Sequence, residues 1–154
     1  MALLDFLRPE AVVPALRGSS KKQVLQELSA QAGKLTGLDG HSVFEALLQR
    51  ERLGSTGIGE GIAIPHGKMP HLDRLFGLLA RLERPIDFEA LDEQPVEILF
   101  LLLAPEGAGA DHLKALARVA RALREPGILE RIRAARDADA LYAVLTDTPA
   151  PRAA

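Results

Sequence analysis

Val96-Glu97-Ile98-Leu99-Phe100-Leu101-Leu102-Leu103-Ala104-Pro105 is the stretch that decides the fold. A strand with one wet face alternates apolar and polar residues. Beyond Glu97 this one does not, and it reads as a strand covered on both faces. It is far shorter than the roughly 20 apolar residues a membrane-spanning helix needs. Its cover must come from helices, and the flanking sequence supplies them. Helices and strands intermix along the chain, which predicts an α/β fold, a single domain with a central mixed β-sheet and helices on both faces. The short connections near residues 83 to 95 favour at least one antiparallel pair, hence a mixed sheet.

Upstream, Leu75 to Leu82 reads as a strand and Pro85 to Phe88 as a short hairpin-like excursion. Ile62 to Ile64 is a short strand. Val12 and Val13, between Pro9 and Pro14, suit an edge strand, where proline is tolerated. Ser20 with Gln23 makes a capping box for a helix with Val24, Leu25, Leu28 and Ala32 on one face and Gly33 as its stop. A second helix spans His41 to Leu53, capped by Asp39 or by a Ser42–Glu45 box, with Val43, Phe44, Leu47 and Leu48 as its stripe. Downstream, Glu106 to Ala110 is a small-residue loop. Asp111 caps a helix whose apolar face is Leu113, Leu116, Ala120 and Leu123. Pro126 suits the start of another helix, and Asp137 caps a last one through Leu145. The tail from 148 to 154 is expected to be disordered.

The bulk numbers narrow the function. A chain of 154 residues suits one domain, and 47% hydrophobic residues suffice for its core. The net charge of −2, without a basic block, leaves out the footprint of a nucleic-acid binder. With no cysteine there are no disulfides, thiolate catalysis or Cys-based zinc sites. The start, Met1 to Glu10, is interrupted by Asp5 and Arg8 and does not read as a signal peptide. A cytoplasmic protein without membrane insertion is expected.

The chemistry gathers in Gly54 to Lys68, Gly-Ser-Thr-Gly-Ile-Gly-Glu-Gly-Ile-Ala-Ile-Pro-His-Gly-Lys. A lone histidine is most often a locally satisfied structural residue. His66 departs from that pattern because Pro65 and Gly67 hold it at the end of a short strand, where sites gather in α/β folds. Lys68 and Arg50 bring positive charge, and the hydroxyls of Ser55 and Thr56 can donate to phosphate oxygens. A neutral imidazole is a good nucleophile near pH 7. His112 follows the helix cap Asp111, where helix N–H groups favour an anion; otherwise it is a partly exposed first-turn histidine. His41 and His71 look peripheral, and the His66–His71 spacing is a poor metal pair in a segment with Gly67 and Pro70. The glycines match neither nucleotide-binding fingerprint and lie between a helix and a strand, the reverse of both nucleotide-loop orders. No ATP, NAD or other cofactor is expected.

Arg50-Glu51-Arg52-Leu53-Gly54-Ser55-Thr56-Gly57-Ile58-Gly59, followed by Gly61-Ile62-Ala63-Ile64-Pro65-His66-Gly67-Lys68, resembles the active-site signature of the fructose/mannitol-type enzyme IIA domains of the bacterial phosphoenolpyruvate-dependent phosphotransferase system. The Gly-Ser-Thr-Gly-Ile-Gly form looks most like its nitrogen-regulatory (IIA-Ntr) branch. The similarity covers residues 3 to 147, with Pro85 to Phe88, Gln94 to Val96 and Asp111 to Leu113 in the expected places; the Ala/Gly-rich loop 106 to 110 departs from it. The resemblance implies a mixed-sheet α/β fold. It implies that His66 is phosphorylated by a histidine phosphocarrier (HPr or a relative), with Arg50 and His112 in support and Ser55, Thr56, Gly67 and Lys68 on the phosphate and partner side. Three functions follow: a phosphocarrier that regulates target proteins by its phosphorylation state, a sugar-transport enzyme IIA that serves an enzyme IIB, or a binding module that has lost transfer. Leu53, Ile58 and Met69 are candidates for a docking rim. The sequence sets no oligomeric state.

Overall fold

The computed structural model describes residues 1–146, so the tail from 148 to 154 lies outside the described residues. The strands are β1 (Leu7–Leu16), β2 (Gly57–Gly59), β3 (Ile62–Ala63), β4 (His66–Met69), β5 (Phe76–Ile86) and β6 (Val96–Pro105). The helices are α1 (Lys21–Thr36), α2 (Gly40–Arg52), α3 (Ala110–Leu123), α4 (Ile128–Ala134) and α5 (Ala138–Thr146). They make one mixed sheet with its helices. No helix among the described residues is long and apolar enough to cross a membrane.

β6 is the axis of the sheet. Every residue from Ile98 to Ala104 is fully buried, so neither face of the strand is wet. On one edge β6 pairs antiparallel with β5, and β1 lies parallel to β5 beyond it. On the other edge β3 and then β4 run parallel to β6 in succession. β2 closes that side, antiparallel to β3. The β5–β6 pair is the antiparallel one that the short connection predicts. Pro85 and Ile86 are not a separate excursion, because after a bulge Ile86 pairs with Val96.

Several local readings shift. β1 is longer than the Val12–Val13 pair, and it holds Pro9 and Pro14 because it is an edge strand with irregular register. The segment after His66 is a strand rather than a connector. Pro65 interrupts the ladder, which resumes at His66 opposite Leu102. Gly33 does not stop α1; the helix runs to Thr36 and closes on Gly37, left-handed at φ 81°, whose N–H donates to the Gly33 carbonyl. Ser20 and Asp39 cap α1 and α2 as expected, accepting from the N–H groups of Gln23 and Ser42. Gln23 reaches back to the Ser19 N–H rather than to Ser20.

The largest correction concerns α3. Gly109, not Asp111, takes the N-cap position, and no side chain caps the helix. Its inward face is His112, Ala115, Val119, Ala122 and Leu123, whereas Leu113 is 69% exposed. Of the expected stripe Leu123 is in the core and Leu116 and Ala120 pack half-buried against it; the small Ala115 and Ala122 and the buried His112 complete the face in place of Leu113. Pro126 precedes α4, whose N-cap is Gly127. Asp137 caps the last helix, its carboxylate accepting from the Ala140 N–H.

Candidate functional site

Three segments meet at His66: the end of α2, the start of β4 and the first turn of α3. Ile64 and Pro65 lie between β3 and β4; the Ile64 N–H donates to the Thr56 carbonyl and the Pro65 carbonyl accepts from the Leu102 N–H of β6, each at 3.0 Å. The Ile64 carbonyl faces the ring two residues on, and Nδ1 of His66 lies 2.8 Å from it. A carbonyl can only accept, so Nδ1 carries the proton and Nε2 keeps the lone pair. The Arg50 Nε–H donates to that Nε2 at 3.2 Å, and Arg50 Nη1 donates to the Gly54 carbonyl at 2.9 Å. The guanidinium is thus fixed at two points, one of them the nucleophilic nitrogen.

His112 stands across the cleft. Its ring centroid is 5.6 Å from that of His66, with the planes 71° apart. Of its two readings, the partly exposed first-turn residue fails, because His112 is buried, at 7% exposure, and lies beside His66. Its Nε2 is buried without a hydrogen-bond partner among the described residues. Both histidines are pushed below the usual imidazole value, in each case mainly by burial. For His66 the hydrogen bond to Ile64 opposes this and the Arg50 charge adds to it, while Glu51 opposes it more weakly. For His112 the neighbouring His66 and Lys68 add to the effect of burial. Two neutral imidazoles beside two cations, Arg50 and Lys68, make a place where an anion is favoured and a proton is not.

The cleft is lined by Arg50, Leu53, His66, Gly67, Lys68 and His112, together with Ala46 and Gln49 of α2. Five of the expected residues, His66, His112, Arg50, Gly67 and Lys68, are therefore brought together. Ser55 and Thr56 are not among its lining residues. The Ser55 hydroxyl donates to the Phe88 carbonyl at 2.8 Å and accepts from the Gly57 N–H at 3.0 Å. The Thr56 hydroxyl donates to the Glu51 carboxylate, which also accepts the Thr56 N–H at 3.0 Å. Both hydroxyls are engaged in holding the loop. The glycines serve that loop too. Glu60 and Gly61, at φ 59° and 84°, form the two-residue turn between β2 and β3, with the positive φ at both positions that a tight hairpin requires. A Cβ at Gly57 would sit 2.7 Å from the Ala90 Cβ, so that glycine permits a close approach.

Of the rim candidates, Leu53 is 85% exposed, Ile58 is half-buried and Met69 is a core residue at 3%. Leu113, beside His112, is the exposed leucine of the opposite side. His41 and His71 are exposed, His71 in a turn at φ 69°. Sequence reasoning missed the Ile64 carbonyl and the buried Glu51. Glu51 had a signal: it falls four residues after Leu47 and seven after Phe44, on the buried face of α2.

Comparison with known proteins bears on this geometry. The family model described as "Phosphoenolpyruvate-dependent sugar phosphotransferase system, EIIA 2" matches residues 5–148. The chain is 61% identical over 153 residues to a nitrogen regulatory protein of Bradyrhizobium diazoefficiens, covering 99% of this chain and 100% of that one. Among solved structures, the nitrogen regulatory protein IIA-Ntr from Neisseria meningitidis superposes with a TM-score of 0.88 at 34% identity, covering 94% of this chain and all of that one. The mannitol IIA of Escherichia coli shares the fold, with a TM-score of 0.76 at 19% identity over 90% of this chain and 97% of that one.

Proposed function

The chain belongs to the EIIA 2 family of the phosphoenolpyruvate-dependent sugar phosphotransferase system, and from that premise we propose that it is a phosphocarrier accepting a phosphoryl group on Nε2 of His66. The donor is a phosphohistidine carrier protein of the HPr type. The N–P bond of the donor breaks as the bond to Nε2 forms, and the bonding pair returns to the donor imidazole. Nδ1 keeps its proton on the Ile64 carbonyl. The phosphorylated ring is then cationic and a good leaving group, so the phosphoryl group stays transferable. Such transfer depends on positioning and on cancelling the charge of the equatorial oxygens. Arg50 lets go of Nε2 and donates to those oxygens, while His112 supplies an imidazole N–H and Lys68 a cation at the cleft's edge.

One observation carries this reading: the hydrogen bond from Nδ1 to Ile64, which leaves the Nε2 lone pair beside Arg50. The experiment is incubation with phosphoenolpyruvate, enzyme I and the carrier, followed by intact-protein mass measurement. A gain of one phosphoryl group, absent in His66→Ala, is expected. No gain in the wild type would leave a binding module.

We further propose that the phosphorylation state of His66 regulates partner proteins, as the name of the 61%-identical relative suggests. The phosphoryl group changes the charge beside the exposed Leu53 and so alters the face a partner meets. Deleting the gene and measuring fructose or mannitol uptake tests this. Unchanged uptake is expected, and its loss would mean a sugar-transport enzyme IIA that serves an enzyme IIB.

A further inference from the structure

Behind the cleft lies a buried polar cluster that the transfer chemistry does not itself use. The Glu51 side chain is 3% exposed, and the Lys21 side chain, 3.0 Å away, is 16% exposed. Glu51 also accepts the N–H and the hydroxyl of Thr56. Lys21, at the first turn of α1, sits over the Phe88 ring at 4.7 Å and reaches the exposed Glu89 at 3.5 Å. Phe88 in turn takes the Ser55 hydroxyl on its carbonyl. The carboxylate at the end of α2 thus binds the start of α1 through Lys21 and the loop at 54–57 through Thr56, and the segment at 88–89 joins the cluster indirectly, through Lys21 and Ser55.

The position of that carboxylate matters because of its neighbours in sequence. Arg50 precedes it, and Gly54, whose carbonyl holds Arg50 Nη1, lies two residues before Thr56. Helix α2 ends at Arg52, and Gly54 has φ 145° with nothing within 4 Å of where a Cβ would stand. Its N–H donates to the Glu51 carbonyl at 3.1 Å, and beyond its own carbonyl the chain is next anchored by the side chain of Ser55 and by Thr56 on the Glu51 carboxylate. We propose that Glu51 is a positioning residue for phosphoryl transfer: by holding Thr56 it fixes the Gly54 carbonyl, and through that carbonyl it sets the Arg50 guanidinium on Nε2 of His66. The inference rests on the reading of His66 as acceptor and Arg50 as its charge partner. A buried ion pair is weak grounds for stability alone, since its desolvation cost rivals its attraction. Geometry that must be held at a reacting atom is a sufficient reason to retain one.

The test uses the full chain in two measurements. Glu51→Gln removes the charge while keeping the shape. The double variant Lys21→Met with Glu51→Gln removes both charges and remains usable if a stranded lysine unfolds the single variant. Steady-state transfer from the phosphorylated carrier should show kcat about tenfold lower with KM for the carrier unchanged, within the ~10²-fold that a 1 Å misplacement can cost. Thr56→Val should show a similar loss, and Thr56→Ser should restore most of it. In the unphosphorylated protein, the Arg50 Nε–H resonance should move and the His66 titration should rise, because a displaced Arg50 no longer lowers it and that influence exceeds the opposing one of the Glu51 charge; a fall would be the loss of the Glu51 charge alone, with Arg50 still in place. A variant with a lower melting temperature but unchanged kcat and Arg50 signal would make Glu51 a structural residue only. A rise in KM alone would make it part of the docking surface. If the wild type takes up no phosphoryl group, the functional reading fails; the Arg50 and His66 signals still decide the positioning role on their own.

Discussion

The two flanks of His66 are built on opposite terms. On the α2–β4 flank the groups around the nucleophile are joined in a chain at rest: Nδ1 on Ile64, Nε2 on Arg50, Arg50 on Gly54, Thr56 on Glu51, Glu51 on Lys21. On the α3 flank the helix has no side-chain cap, and Nε2 of His112 is buried without a partner among the described residues. A buried unsatisfied polar atom costs about 1–3 kcal/mol, and such atoms are few in native proteins, a catalytic role being one reason to keep them. The contrast teaches a division of labour. One flank fixes tautomer and charge before the donor arrives. The other gains its hydrogen bonds when the phosphoryl group enters.

Removing the fixed flank's charge should have the largest effect. Arg50→Ala is expected to slow phosphoryl acceptance by ~10²–10³-fold, the usual loss for one preorganised donor. Arg50→Lys should recover little of it, because a lysine cannot hold both Gly54 and His66 in one planar fork. Rapid-quench transfer from the phosphorylated carrier measures both. An Arg50→Ala loss below about tenfold would show that the resting hydrogen bond to His66 is incidental.

The α3 flank should respond differently. His112→Leu deletes the unpartnered nitrogen and keeps the volume. It is expected to slow transfer by about tenfold while leaving the fold as stable or more so, since exchanging an unsatisfied polar group for an apolar one is neutral or stabilising. Thermal melts and transfer rates on the same sample decide it. A fall in the melting temperature would mean that His112 is satisfied in solution and belongs to the core.

That outcome bears on how much could be read from the chain. The central strand was legible because seven buried residues in a row, Ile98 to Ala104, have no alternative role in a chain this polar elsewhere. The site's histidine was legible because Pro65 and Gly67 leave it little freedom. Its tautomer was not, because a carbonyl has no signature in sequence. The α3 face was read one residue wide of its centre, at Leu113, because Ala115 and Ala122 carry a weak apolar signal, and this hid the burial of His112. Ser55 and Thr56 are chemically suited to phosphate, and only packing reveals that their hydroxyls turn inward to Phe88 and Glu51.

Acidity acts on both flanks at once. Both imidazoles have folded values below the usual one, chiefly through burial. The acceptance rate should therefore stay level down through pH ~6.5, the unperturbed value, and fall only below it. The same shift sets a stability trend. The unfolded chain binds more protons than the folded one just below that pH, so the stability present above it is lost as pH falls through the folded values. Arg50→Ala should move the acid limb of the rate upward, because the Arg50 charge is one of the influences holding His66 down. A limb that stays put would assign the shift to burial alone.

The smallest expected effects lie at the rim, where each flank exposes one leucine: Leu53 at 85% and Leu113 at 69%. An exposed side chain away from special features changes stability within about 0.5 kcal/mol, so Leu53→Ala and Leu113→Ala should melt like the wild type. Their value is in KM. The carrier must bring its own phosphohistidine to Nε2 of His66, and Arg50, which must turn to the phosphoryl group, sits on the α2 side with Leu53 among the cleft residues. A docking partner that covers the fixed flank while leaving room at the other should raise KM several-fold for Leu53→Ala and less for Leu113→Ala, with kcat unchanged in both. Titrating each variant with the unphosphorylated carrier gives the ranking without any chemistry. Equal losses would place the partner across both flanks, and a larger loss at Leu113 would put it over the flank that the phosphoryl group completes.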